Sequence, residues 1–171
     1  VAPFTSTVTG LAPNTTYYVR TYATKTGPAD TVYSSNILSF TTPMAVAPQM
    51  TSPTASDITL FTATLNATIT EKGDATQFTS KGFVYSTTPN PDCNTGTKLT
   101  VSGTVNASSI PFPMTKEVTG LTSGVTYYVR AFAIIKYGSA VTDTIYTDEM
   151  SFTTAHACQS SRKPARHTLM C

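Results

Sequence analysis

Along residues 62–69 polar and apolar side chains alternate without a break, which puts Ala63, Leu65, Ala67 and Ile69 on one side and Asn66 on the other. This is the period of a strand with one buried face. The same period runs through residues 127–133, where Tyr127, Val129, Ala131 and Ala133 share an inward face while Tyr128, Arg130 and Phe132 project outward. Residues 81–86 read as another strand, ended by Pro89-Asn90-Pro91-Asp92, because proline has no N–H to give to a sheet ladder. Shorter strands are expected at 98–102 and 113–119. Prolines at positions 43, 48 and 53 mark an extended linker running into a first edge strand. Short strands separated by turn signals at this spacing predict a β-sandwich.

The chain repeats itself. Residues 4–42 contain VTGL, TTYYVRTYA and SFTT, and residues 114–154 contain VTGL, VTYYVRAFA and SFTT in the same order. Leu11 corresponds to Leu121 and Phe40 to Phe152, so the second copy carries about two more residues, which belong in a loop. In the first copy Tyr17, Val19, Thr21 and Ala23 face inward and Tyr18, Arg20 and Tyr22 outward. Each copy closes with a second strand ending in Leu38-Ser39-Phe40 or Met150-Ser151-Phe152, paired as a hairpin across a turn near Gly27 or Gly138. Residues 1–42 thus hold only the last strands of a unit, residues 43–154 a whole one with its linker, and residues 155–171 a tail of different composition. About 40 residues with a bare sandwich face bury too little apolar surface to be stable alone. Three readings stand: the chain starts inside a longer protein, the half-unit packs on its own neighbour, or strands from another copy complete it.

Composition narrows the function classes. Threonine makes up about a fifth of the chain and helix formers are scarce, in keeping with strands. All nine acidic residues and eight of the eleven basic ones lie in residues 1–154, a net charge of −1, and Arg162, Lys163 and Arg166 raise the whole chain to +2. A nearly neutral body lacks the basic face that a phosphate backbone requires, so nucleic acid is not an expected partner. No apolar run reaches the roughly 18 residues of a membrane-spanning helix. The first residue, Val1, follows no initiator methionine or leader, which fits a mature or excised segment. Sequons at Asn14, Asn66 and Asn106 fit an extracellular setting.

Residues 1–154 contain no histidine and one cysteine, Cys93, which removes Ser-His-Asp and Cys-His arrangements and histidine-rich metal centres from that span. Asp148 and Glu149 would be a carboxylate pair for glycoside cleavage, yet neighbours on a strand point to opposite faces. Catalysis is therefore not expected, and neither is a cofactor. The outward aromatics Tyr18, Tyr22, Tyr128 and Phe132 offer either stacking platforms for sugar rings or ordinary cross-strand packing. Asp92 to Gly96 reads as a polar turn or as a fragment of a calcium loop without its distal glutamate. In the tail, His156, Cys158, His167 and Cys171 are the right residue types for zinc, against a disulfide, a cross-linking thiol or an unstructured extension.

The pattern Leu121, Tyr127, Val129, Ala131, Ala133, with its counterpart Leu11, Pro13, Thr15, Tyr17, Val19, Ala23, resembles the corner and following strand of fibronectin type III domains. KGFVYSTTPNP, TTYYVRTYA and SFTT are similar to the divergent type III-like repeats strung in tandem through large bacterial surface and secreted proteins. The resemblance spans residues 1–154. It implies an immunoglobulin-like sandwich in which Tyr17 and Tyr127 are corner tyrosines, each hydroxyl bonding back to the preceding loop. The function it implies is a non-catalytic extracellular or cell-surface module, a spacer and adhesion scaffold. Its partners would be neighbouring domains, other copies of itself, glycans or a surface protein. An accessory module of a polysaccharide-degrading enzyme and a self-assembling fibre subunit are the alternatives. Ligand contacts would lie on loops at one end, such as 87–96 or the turn at Gly138.

Overall fold

The computed structural model describes residues 4–25, 30–138 and 141–157. Within them the regular secondary structure is nearly all strand. The half-unit holds β1 (Thr16–Val19), β2 (Tyr22–Thr24), β3 (Thr31–Tyr33) and β4 (Leu38–Thr41). The body follows with β5 (Gln49–Met50), β6 (Thr54–Ser56), β7 (Ala63–Glu71), β8 (Gln77–Ser86), β9 (Thr97–Thr100), β10 (Phe112–Val118), β11 (Thr126–Tyr137), β12 (Val141–Tyr146) and β13 (Met150–Thr153). One turn of 3-10 helix at Ala107–Ser109 is capped by Asn106, whose side-chain oxygen accepts from Ser109 N–H.

Two antiparallel sheets face each other in the body. One runs β10-β7-β5, with β6 also on β7, and the other runs β12-β11-β8-β9, with β13 beside β12 on the same edge of β11. Alternation on β7 does as the sequence requires: Ala63, Leu65, Ala67 and Ile69 are buried. They meet Met114 and Val118 of β10 on their own sheet and Phe83, Tyr127, Val129, Ala131 and Phe152 of the opposite one in a single core. This is a β-sandwich, its layers held together by apolar side chains from both inner faces.

The segments at 81–86, 98–102 and 113–119 are strands with shifted bounds, and β8 starts four residues earlier than the sequence suggests. The closing strand is not continuous. Residues 147–149 interrupt it, and Thr147 sits at the break, its N–H donating to Ala131 O at 3.0 Å while its hydroxyl accepts from Ala131 N–H at 3.0 Å. Ser34 occupies the same position in the half-unit, bonded to both backbone groups of Thr21. The half-unit accordingly forms two short ladders, β1 with β4 and β2 with β3, neither joined to a body sheet. The expected turn at Gly27 lies outside the described residues.

Val129 is fully buried and its counterpart Val19 is 44% exposed. Val129→Ala should therefore lower the unfolding free energy in urea by about 2 kcal/mol, and Val19→Ala by less than about 0.5 kcal/mol.

Candidate functional site

The two copies share their corner almost bond for bond. Thr122 N–H donates to the Tyr127 hydroxyl at 2.9 Å, and Ala12 N–H donates to the Tyr17 hydroxyl at 2.8 Å. A threonine completes each corner. The Thr154 hydroxyl accepts from Val125 N–H at 3.1 Å and donates to Thr122 O at 2.6 Å, while Thr42 does the same with Thr15 at 3.0 Å and Ala12 at 2.7 Å. The Tyr127 ring stacks on Phe152 at 5.8 Å and Tyr17 on Phe40 at 5.9 Å. Backbone groups where the chain crosses from one layer to the other have no strand partner, and these hydroxyls supply one. The threonines are absent from the sequence reading, although SFTT in both copies ends on them.

The outward aromatics do not form one surface. Tyr18 and Tyr22 are exposed, and Tyr128 is half-buried. Phe132, expected to project outward as a stacking platform or in cross-strand packing, is fully buried. It does lie on the outer face of its sheet, with Tyr146 on one side and Gly82 on the other in register. That face is covered. Loop 87–96 folds back across it, with Pro91 fully buried and Cys93 N–H donating to the Tyr146 hydroxyl at 3.0 Å. A Cβ built on Gly96 would stand 2.5 Å from a Val84 methyl, so the loop reaches Val84 only because that residue is glycine. Arg130 spreads over the Tyr146 ring at 4.7 Å. Phe132 is thus part of a small outer core and is not a stacking platform.

The half-unit has the same residues without the cover. Tyr22 and Tyr33 stand at the places of Phe132 and Tyr146, their rings 6.1 Å apart, with Arg20 over Tyr33 at 4.1 Å. Together with Tyr18 these make an exposed aromatic face.

Loop 87–96 is also where Asp92 lies. Its carboxylate accepts from Asn94 N–H at 2.7 Å and Thr95 N–H at 2.8 Å, and from the Thr95 hydroxyl at 3.0 Å. These bonds hold its pKa below the usual carboxylate value. The residues 92–96 form a polar turn that uses the acid internally. Glu149 accepts from Asn90 N–H and ties the loop to the break between β12 and β13. Asp148 and Glu149 lie in that break, not on a strand as the sequence suggests. Burial raises the Tyr146 phenol, with Cys93 contributing. Among the described residues no three His, Cys, Asp or Glu side chains gather as a metal would need. His156 packs beside Gly124, and Cys158, His167 and Cys171 lie outside the described residues.

At the other end, the linker is fastened to the turn between β7 and β8. Val46 N–H donates to the Asp74 carboxylate at 2.8 Å, and Asp74 N–H donates to Val46 O at 2.9 Å. Gly73, at φ +55°, lies so close that a Cβ there would meet Val46 O at 2.3 Å. Leu11, Pro13, Met44, Asp74, Tyr137 and Gly138 line a shallow pocket of about 280 Å³ at this joint. Burial and the nearby Asp143 and Asp74 carboxylates raise the Tyr137 phenol.

Two outcomes follow from the covered face. Phe132→Ala should cost about 3–5 kcal/mol in chemical denaturation, against less than about 1 kcal/mol for Tyr22→Ala. Because the native Asp92 pKa is depressed, its contribution is complete above the unfolded carboxylate value of about 4. That contribution is lost as pH falls through the lower native value. Amide exchange at Asn94 and Thr95, referred to the intrinsic rate at each pH, should speed up across that window, and Asp92→Ala should abolish the dependence.

No family model matches the chain, and no curated protein matches it. Among solved structures, the sensor domain of the anti-sigma factor RsgI4 in Pseudobacteroides cellulosolvens is similar to it, with a TM-score of 0.48 and 15% identity over 66% of this chain and 98% of that one. At that level the similarity assigns no role to this chain.

Proposed function

We propose that this protein is a non-catalytic, extracellular, fibronectin type III-like module that spaces and displays neighbouring domains in a bacterial surface or secreted protein. The observation that carries the reading is the joint. Two copies of one corner, alike in their hydrogen bonds, are connected by a linker that is bonded to the body through Asp74. A free linker would let adjacent units swivel, whereas two backbone-level bonds and a glycine contact restrict it. The absence of any active-site constellation among the described residues is compatible with this role and is not its basis. No helix there is long and apolar enough to cross a membrane.

Relaxation of the linker tests the proposal. In the native chain the amides of residues 44–47 should have order parameters close to those of β7, and Asp74→Ala should lower them below about 0.6 while the body keeps its stability within about 1 kcal/mol. Equal mobility before and after the substitution would sink the spacer reading. Retardation of the chain in a glycan gel, lost on Tyr18→Ala or Tyr22→Ala, would replace it with the polysaccharide-accessory reading.

A further inference from the structure

The half-unit is bare on the faces that the whole unit covers, and the whole unit shows what covers them. On the inner face, Val19 is 44% exposed where Val129 is 0%, Phe40 44% where Phe152 is 7%, and Val8 60% where Val118 is 2%. Leu11, Tyr17, Val19, Ala23 and Phe40 are identical to Leu121, Tyr127, Val129, Ala133 and Phe152, with Thr21 and Leu38 in place of Ala131 and Met150. In the body Leu121, Tyr127, Val129, Ala131 and Phe152 pack in one core with β7 and β10, and Ala133 packs in an adjoining cluster with Ala75, Ile135 and Tyr137. On the outer face, Tyr22 and Tyr33 are exposed where Phe132 is buried and where Tyr146 accepts a bond from Cys93 of loop 87–96. Along the edge, β11 pairs with β8 from Tyr128 to Lys136, while β1 and β2 pair only with β4 and β3. A single segment, residues 49–118, supplies all three covers in the body.

The half-unit also contains the end of the missing part. Phe4 to Val8 reads FTSTV where Met114 to Val118, the end of β10, reads MTKEV, and Pro3 precedes Phe4 as Pro113 precedes Met114. Val118 pairs with Ala63 and Met114 with Ala67. Phe4 and Val8 have no such partner and are exposed, and residues 4–8 are not strand. The interface is continuous with a strand whose last residues are present and whose pairing strand is not.

We propose that the half-unit is a docking surface for a segment of the same pattern as residues 49–118, carried on the same polypeptide ahead of Phe4. That segment would bring an apolar strand face like Ala63-Leu65-Ala67-Ile69 onto Val19 and Phe40, a strand onto the free edge of β1 and β2, and a proline-bearing loop onto Tyr22. A bare apolar edge of this kind favours association with other chains, and intramolecular completion removes it. The inference deepens the tandem-module reading but does not require the stiff joint on which that reading rests.

The test is the natural polypeptide extended upstream by the length of residues 43–110. The amides of Val19, Tyr22 and Phe40 should exchange about 10³-fold more slowly than in the 171-residue chain, and Val19→Asp should remove that gain while leaving Val129 protected. A second protein, with residues 43–110 of this chain joined ahead of Val1, should show the same gain, since the contact residues are largely identical. Unchanged exchange at Val19 in both proteins, with Val129 still protected, overturns the proposal. So does a 171-residue chain that sediments as a stable dimer in which Val19 is protected, because the face would then be completed by a second copy. Failure of the joint test with protection gained here would discard the spacer role and keep the docking surface.

Discussion

The sandwich depends on one strand whose two edges and two faces are all in use. Strand β11 bonds to β8 along one edge and to β12 and β13 along the other, so it is the only member of its sheet with ladders to three strands. Its inward side chains are buried to 0% at Val129, Ala131, Ala133 and Ile135, which fixes the register, because a one-residue slip would turn them all to the other face. The break at Thr147 exists on account of this strand. Two short strands are each bonded to a different stretch of β11, and the threonine hydroxyl occupies the gap they leave.

The comparison of the two copies separates local bonding from burial. Corner hydrogen bonds, ring stacking and the Arg-over-Tyr contact recur in both, yet in the half-unit they surround side chains that remain in contact with water. Hydrogen bonds of this kind exchange water for protein partners at a net gain of about 1 kcal/mol each. They specify how the corner is shaped. What makes the body stable is the apolar area removed from water between its sheets, and the half-unit has no second sheet to remove it.

The inner faces of β7 and β11 were legible in the sequence because alternation reports sidedness directly. Tyr17 and Tyr127 were legible through the family resemblance, as residues whose hydroxyls reach back to the preceding loop. Phe132 was not, since alternation says which side a residue takes and not whether something else lies over that side. The covering loop has the proline, asparagine and aspartate of an exposed turn, and only Gly96, placed to let it approach Val84, hints at contact. Thr42 and Thr154 were missed for a different reason. In a chain so rich in threonine, a structural threonine has no compositional contrast, and only its repetition at the same place in both copies marks it.

The attachment of the linker at Asp74 determines how tension enters the body. A pull delivered through Thr42 would first load the pair of bonds between Val46 and Asp74, then the β5 contacts at Gln49 and Glu71. Only two residue pairs join β5 to β7, so few bonds hold this segment to the body. The module would therefore yield a short length of chain at low force, a mechanical fuse ahead of the core strands.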